Sequence, residues 1–440
     1  MEFLILPHQL YSKKFLSKKY KYVLWEHPQY FTKYAFNNKK LILHRGSMKH
    51  YYDYLKEKGF KVKYIPFNKK FVPSRKDKTY ILFDPIDKII KQLPGKPIIV
   101  ESPNFLLNKE LYAKYRKKTK NFFFNAFYMW SKKQIDLMPA IKSKDKENRK
   151  KLPKDIDIPE LPSNKRDLAY IKEASKYVEK HFGNNYGNSV VEEFVYPISR
   201  KTAKVWLRDF INKKMKNFGK YQDAIKSDDS YLFHSVLSSS LNIGLLNPWD
   251  VVKEVMKNKK KIPLNSLEGF IRQLFWREYQ RYCYIYIDFK GHNYFGNRKK
   301  LNKKWYNGTV VSEGGEVSPV NDCIKKAFKN GYLNHIERLM VMANYMNLSG
   351  IHPEEMFKWF MEFPIDSYEW VMRQNVDMGS FMTGGLTMRR PYLSSSNYIL
   401  KMSDYKKGKW SEKWDKLYKA FLKKHKKKLW KYRYYFRGLK

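Results

Sequence analysis

The stretch "KLILHRGSMKHYYDYLKEKGFKVKYIPF", residues 40–67, carries the reading of the fold. Its apolar opening, "KLILH" (40–44), predicts a strand. A helical pattern follows, because Met48, Tyr52 and Leu55 share one helical face and Gly59 is placed to end it. "KVKYIPF" (61–67) then reads as a strand again. Outward from this stretch, "FLILP" (3–7), "YVLW" (22–25), "YILFD" (80–84) and "PIIVE" (97–101) are short apolar runs of the same kind. Strands alternating with helices predict a mostly parallel, Rossmann-like α/β sheet covered by helices. Neither G-x-G-x-x-G nor G-x-x-x-x-G-K-[ST] occurs, so the usual dinucleotide and P-loop fingerprints are absent.

From about residue 168 the strand signal fades. "RKTAKVWLRDFINKKMKNFG" (200–219), "NSLEGFIRQLFWREYQRYCYIY" (265–286), "YLNHIERLMVMANYMN" (332–347) and "HPEEMFKWFMEF" (352–363) are amphipathic or buried helices. The Pro-punctuated, charged stretch 143–167 is the best linker candidate. The expected division is an α/β domain over 1–135, a linker over 136–185 and a helical domain over 186–440.

The 440 residues suffice for two or three cored domains, and 89 Lys and Arg against 42 Asp and Glu leave a formal charge of +47. Such a field attracts polyanions, nucleic acid first and an anionic membrane surface second. Aromatics at 17%, with 35 tyrosines, suit base stacking beside phosphate contact. The bland explanation is the Lys/Asn/Tyr bias of an AT-rich genome, and it holds alongside the first. The carboxyl end, "FLKKHKKKLWKYRYYFRGLK" (421–440), is either a solvated cationic tail or a DNA contact. Two cysteines, Cys283 and Cys323, exclude a disulfide framework and a four-Cys metal site. With no signal-peptide pattern and no 18-residue apolar run, the expectation is a soluble intracellular protein of cytoplasm or nucleus.

Three polar stretches interrupt the helical half. "YLFHSVLSSSLNIGLLNP" (231–248) sets Ser235, Ser238 and Asn242 among leucines, where their polar atoms need partners. "LNSLEGFIRQLFWREYQR" (264–281) crowds Arg272, Gln273, Trp276 and Arg277 together, which suits a phosphate-bearing planar ligand or an internal Arg–Glu network equally. The third stretch carries Asp366, Tyr368 and Asn375. Within 332–347, His335 and Arg338 sit one turn apart on an otherwise apolar helix, where a solvated helix edge is the simplest explanation.

Taken in order, F-H-S-x-L-S-x-x-L-N-x-G-L-L, E-G-F-I-R-Q…W-R-E-Y, H-I-x-R-L-M-V, D-x-Y-E-W-V…N-V and K-M-S-D-Y resemble the photolyase/cryptochrome superfamily, in particular its prokaryotic (6-4) branch. The resemblance implies a helical domain holding a bent FAD. Ser235, Ser238, Asn242, Arg272, Gln273, Trp276 and Arg277 would line its pocket. Asp366, Tyr368 and Asn375 would approach the isoalloxazine, and Arg338 the flavin or DNA phosphates. His335 matches the second of the branch's paired histidines, while Asn334 stands where the first would be; Tyr392 joins them on the lesion side. Trp359 matches an electron-relay residue, with Phe360 beside it and Tyr306 or Trp305 as an outer station. The branch usually holds an iron–sulfur cluster, but Lys406 and Lys409 occupy cluster-ligand positions and only Cys323 matches a remaining one. The expectation is no cluster, with packing of Trp410 and Trp414 in its place. A lumazine-type or other antenna chromophore is implied in the amino-terminal domain, with His44 and the "HRGSMKHYY" helix start (44–52) as contacts, while "LPHQLY" carries His8 where the branch has Asp.

The implied activity is light-driven repair of UV-damaged DNA by a monomeric enzyme, with (6-4) photoproducts favoured over cyclobutane dimers. A cryptochrome-like blue-light receptor without repair is the alternative from another class. A DNA-binding protein with a vestigial pocket is the third.

Overall fold

The computed structural model describes residues 1–137, 144–311, 318–436 and 439. Strands β1 (Glu2–Ile5), β2 (Lys21–Trp25), β3 (Lys61–Ile65), β4 (Thr79–Phe83) and β5 (Lys96–Val100) form one parallel sheet in the order β3-β2-β1-β4-β5. Leu4 at its centre pairs with Val23 on one side and Leu82 on the other. Both faces are covered, which is why the inner strands are apolar runs and not alternating patterns.

The expected strand "KLILH" is helical. It lies in α1 (Asn38–Glu57), which starts where the Asn37 side chain accepts a hydrogen bond from the Lys39 N–H at 2.9 Å. Leu41, Ile42 and Leu43 are all fully buried, so this part of the helix is enclosed on every side. A short helix segment buried all round has no polar face to reveal its period and reads as a buried strand. Gly59, with φ of +74°, follows the helix end as expected. The other side of α1 meets the helix Leu168–Phe182 at Gly46, where an added Cβ would sit 3.6 Å from that of Ala174. That second helix lies within the stretch expected as a linker, of which residues 138–143 are outside the described residues.

A buried carboxylate ties these layers. Glu26 accepts from Arg45 at 3.0 Å, Tyr64 at 2.5 Å, Tyr177 at 2.9 Å and the Phe67 N–H at 3.0 Å. Arg45 stacks on Tyr177 at 3.9 Å and pairs with Glu173 at 2.5 Å, so β2, α1 and the helix Leu168–Phe182 share one charge network. A buried ion set is tolerable only when its members are paired and hydrogen-bonded in this way.

The strand order reverses between β1 and β4, and α/β proteins commonly bind ligands beyond the carboxyl ends of strands at such a point. Here protein groups crowd that place. His8 Nε2 donates to the Pro85 carbonyl at 2.9 Å. His44 Nδ1 faces the Tyr30 carbonyl at 3.3 Å, which leaves Nε2 to accept the Tyr368 hydroxyl at 2.8 Å. The Trp370 N–H reaches Asp87 at 3.0 Å. His44, expected to touch an antenna chromophore, is thus buried with His8 against the helical half, both with protein partners.

Helices dominate from residue 168 onward. The longest of them, Leu264–Tyr286, has 16 of its 23 residues buried and packs against Phe124–Ile135, Met215–Tyr221, Pro248–Lys257 and Glu369–Ser380. The helix carrying His335 widens into π-helical turns over Glu337–Ala343 before continuing through Asn344–Leu348. Among the described residues, no helix is long and apolar enough to cross a membrane.

Burial holds the His8 imidazole down to about 3, so it is neutral in the fold, while the unfolded chain takes up a proton near pH 6.5. Stability carried by neutral His8 is therefore present above about pH 6.5 and lost as pH falls. Urea titrations at pH 7 and pH 5 should show a smaller acid loss in His8→Gln than in wild type, by about 1–2 kcal/mol. Equal losses would show that His8 protonates freely in the fold.

Candidate functional site

Four separated segments meet in a cleft of about 240 Å³ in the helical half. Residues within 218–242 give one wall, the helix Leu264–Tyr286 presents Gln273, Trp276, Arg277 and Gln280, and Tyr332–Arg338 and Asp366–Asn375 close the rest. An adjoining outer cleft of about 380 Å³ is lined by Arg149, Arg390, Tyr392 and Ser394 and shares Gln273, Trp276 and His335 with the first. Together they have the size and the mixture of apolar walls and few polar groups that small-molecule sites show.

A chain of polar contacts spans the inner cleft. Arg277 Nε donates to Asn242 Oδ1 at 3.0 Å, and Asn242 Nδ2 donates to the Asp366 carbonyl at 2.9 Å. The Asp366 carboxylate takes both arms of Arg338, at 3.1 and 3.2 Å. Arg277 is further held by the Asn104 carbonyl at 2.7 Å and stacks on Phe105 at 4.2 Å. Its burial lowers its pKa to about 10, still well above neutrality, so the cleft keeps its positive charge. Two buried atoms on the wall, His234 Nε2 and Gln222 Oε1, have no protein partner. Orphaned polar atoms beside guanidinium groups suit a ligand with hydrogen-bonding edges and negative charge.

The wall is also strained. Leu232 and Val236 take φ of +42° and +52°, a region that side-chain-bearing residues rarely enter, and a β-branched one least of all. Lys214, buried, donates to the Leu232 carbonyl at 2.9 Å and holds that turn. Backbone strain of this kind concentrates at functional sites.

His335 stands at the junction of the two clefts. Its ring is exposed there, yet the enclosing atoms and then the Arg338 guanidinium hold its pKa below the ordinary value. Contact with water in the cleft makes this depression smaller than for an enclosed imidazole. Neutral His335 is the dominant form at pH 7.

Of the residues singled out in the sequence, Ser235, Ser238, Asn242, Gln273, Trp276, Arg277, His335, Arg338, Asp366 and Asn375 all line the inner cleft. Arg272 and Tyr392 line the outer one, Arg272 lying 3.5 Å from Glu268. Asn334 does not reach either cleft. Its Oδ1 accepts from the Glu337 N–H at 2.9 Å and Glu337 returns a bond to its backbone at 3.1 Å, a reciprocal helix cap. Tyr368 points to His44 and the sheet, away from the cleft. Trp359 is fully buried outside it, donating to the Trp305 carbonyl at 2.8 Å, with Phe363 at 4.5 Å between it and Arg338. Tyr306 stacks on Tyr186 at 4.3 Å and bonds Glu362 at 2.8 Å. His234, Gln222, Gln280 and Tyr332 line the cleft without having been singled out. His234 stands inside the quoted F-H-S motif, where it was the one signal available.

Around the expected cluster region, Trp410 donates to the Lys406 carbonyl at 2.9 Å and Trp414 to that of Ser394 at 3.1 Å. Cys323 is buried beside Glu337 and its thiol is pushed well up by burial, while Cys283 belongs to the long helix Leu264–Tyr286. A four-iron cluster needs four thiolates, and the donor set here does not fit one.

The family model for deoxyribodipyrimidine photo-lyase-related proteins matches residues 3–195. A (6-4) photolyase of Agrobacterium fabrum is 37% identical over 267 residues, 59% of this chain and 51% of that protein. The match thus spans about half the length of that relative. Among solved structures, a bacterial class III photolyase from Agrobacterium tumefaciens superposes with a TM-score of 0.59 at 14% identity, covering 96% of this chain and 86% of that one. A cryptochrome from Synechocystis gives the same TM-score and identity over 97% and 89%. At that identity the likeness speaks for the fold, a five-stranded parallel sheet followed by a mainly helical region. Residues 3–195 are thus similar to photolyase-related proteins, and the chain as a whole has the photolyase-like fold.

Asn242 joins the Arg277 guanidinium to the Asp366 backbone carbonyl, so its loss leaves the buried Arg277 Nε and that carbonyl unsatisfied. Asn242→Leu should destabilise the fold by about 2–4 kcal/mol in urea unfolding. A loss below about 0.5 kcal/mol would mean that the polar chain across the cleft is not a structural unit.

Proposed function

We propose that this chain is a FAD-dependent, light-driven DNA repair enzyme acting on UV-induced pyrimidine dimers, (6-4) photoproducts first. The observation that carries the reading is the polar chain Arg277–Asn242–Asp366–Arg338 in a cleft whose mouth holds His335. The orphaned His234 and Gln222 atoms and the two guanidinium groups fit a flavin dinucleotide. Ser235, Ser238 and Arg277 would serve its phosphates and sugar, and Asn375 with the Arg338–Asp366 pair its ring edge. Bound FAD, once reduced and lit, supplies the electron that opens a pyrimidine dimer.

What the protein's own groups add is position, exclusion of water and a proton. A base must leave the duplex to enter a cleft of this depth. Arg149 and Arg390 at the outer mouth suit DNA phosphates, as does the formal charge of +47. A (6-4) lesion needs a proton as the electron arrives, and His335 is placed at the mouth to hold one. Approaching phosphates counteract Arg338 and raise the share of protonated His335.

Repair of cyclobutane dimers is the second reading, favoured by Asn334, which is engaged in a helix cap and leaves His335 without the branch's first imidazole. Trp359, with Tyr306 or Trp305 as the outer station, remains the proposed route for flavin photoreduction. His8 and His44, buried with protein partners, are not assigned to an antenna chromophore.

The deciding experiment is blue-light repair of two oligonucleotides, one with a (6-4) product and one with a cyclobutane dimer. Light-dependent restoration of the (6-4) strand is expected. His335→Ala should then lower its rate about 100-fold or more with flavin absorbance unchanged. Because the His335 pKa is held down, the wild-type rate should rise as pH falls from 8 to 6. Restoration of the cyclobutane strand alone would establish the second reading, and bound, photoreducible flavin with no repair would indicate a light sensor.

A further inference from the structure

The carboxyl-terminal segment is folded against the protein and presents aromatic rings outward. Leu429, Tyr432 and Phe436 are buried, and they anchor the 3₁₀ turns Trp430–Tyr435. The same turns leave Trp430 47% exposed, Tyr434 84% and Tyr435 57%. Three large rings facing water within six residues are unusual for a surface that binds nothing. Guanidinium groups hold them in place. Arg433 lies over Trp430 at 5.0 Å and over Tyr434 at 4.5 Å, and donates to the Tyr434 hydroxyl at 3.0 Å. Arg390 lies over Tyr435 at 4.4 Å.

Arg390 fixes where this platform stands. It lines the outer cleft with Tyr392 and His335, so the exposed rings flank the mouth through which a substrate base would enter. The charge around them has one sign. After Asp415 the sequence carries no acidic residue, while Lys423, Lys424, Lys426, Lys427, Lys428 and Lys431 precede or interleave with the rings.

We infer that Trp430, Tyr434 and Tyr435 form a stacking platform for unpaired bases of the DNA that flank the one entering the cleft, with the neighbouring lysines on their phosphates. The inference rests on the reading of the cleft as a DNA-lesion site. Flipping a base leaves its neighbours and its former partner unstacked, and fixed aromatic faces compensate that loss without regard to sequence. The cationic setting selects a polyanion over an apolar protein surface.

The test uses the full chain, a duplex with a two-base unpaired bubble carrying 2-aminopurine, and the same duplex fully paired. Wild type should bind the bubble about tenfold or more tighter than the paired duplex and quench the 2-aminopurine. Tyr434→Leu/Tyr435→Leu, which keeps every charge and alters only exposed side chains, should lose that preference and the quenching. Its affinity for paired duplex and the slope of log K against log salt should stay as in wild type. A variant that quenches and prefers the bubble like wild type overturns the inference. So does an equal loss on both duplexes, or a wild type that binds anionic lipid vesicles and no DNA. Undamaged DNA keeps the result separate from the repair reading: absent repair with an intact bubble preference would defeat only the latter.

Discussion

The two halves of the molecule depend on a set of buried charges on one helix. Glu278 of the helix Leu264–Tyr286 accepts the N–H groups of Leu106 and Leu107 at 3.0 and 3.1 Å and the Tyr112 hydroxyl at 2.9 Å. One turn on, Arg281 is fully buried, stacked on Phe105 at 4.1 Å and paired with Glu101 at 2.7 Å and Asp84 at 3.3 Å. These contacts fasten the helix to the loop that leaves β5. Removing one partner would strand a charge in the interior, which costs several kcal/mol, so the register between sheet and helix is fixed. Arg277, one residue before Glu278, inherits that fixation and carries it into the cleft.

The cleft is thus an extension of the interdomain contact. Arg277 is shared between the Asn104 carbonyl on the sheet side and Asn242 on the helical side. Tyr368, two residues after Asp366, turns to His44 and anchors the same segment from behind. Groups that hold the domains together and groups that face the cleft alternate along the chain. A site built this way is rigid because its supports are parts of the core.

Much of this was legible in the sequence, and the failures have physical causes. The inner strands β1, β2 and β4 stand out because buried parallel strands are apolar on both faces, whereas the edge strands β3 and β5 keep exposed positions. "KLILH" misleads for the same reason: a fully enclosed helical turn has no polar side. Ser235, Asn242, Arg277, Arg338 and Asp366 sit in local motifs, and each reaches the cleft. Tyr368 could not be placed from spacing, because it precedes the helix Glu369–Ser380 in extended backbone and its direction depends on a partner 324 residues away. Asn334 carried a readable cue, a carboxylate three residues on, that marks a helix cap. Gln222 and Tyr332 have no local signal, since only the tertiary fold brings them to the wall.

The segments that enclose the cleft lie at 218–242, 270–280, 332–338 and 366–375. During synthesis the sheet and α1 emerge first, but Arg281 must appear before the sheet acquires its clasp, and Asn375 before the cleft has its last wall. A ribosome-bound chain therefore passes most of its length without a closed cleft, and contacts of such long range form slowly. Closing the cleft waits for the segment that carries Asn375, and a chain terminated before it would be released with an exposed, half-built core and an open-sided cleft.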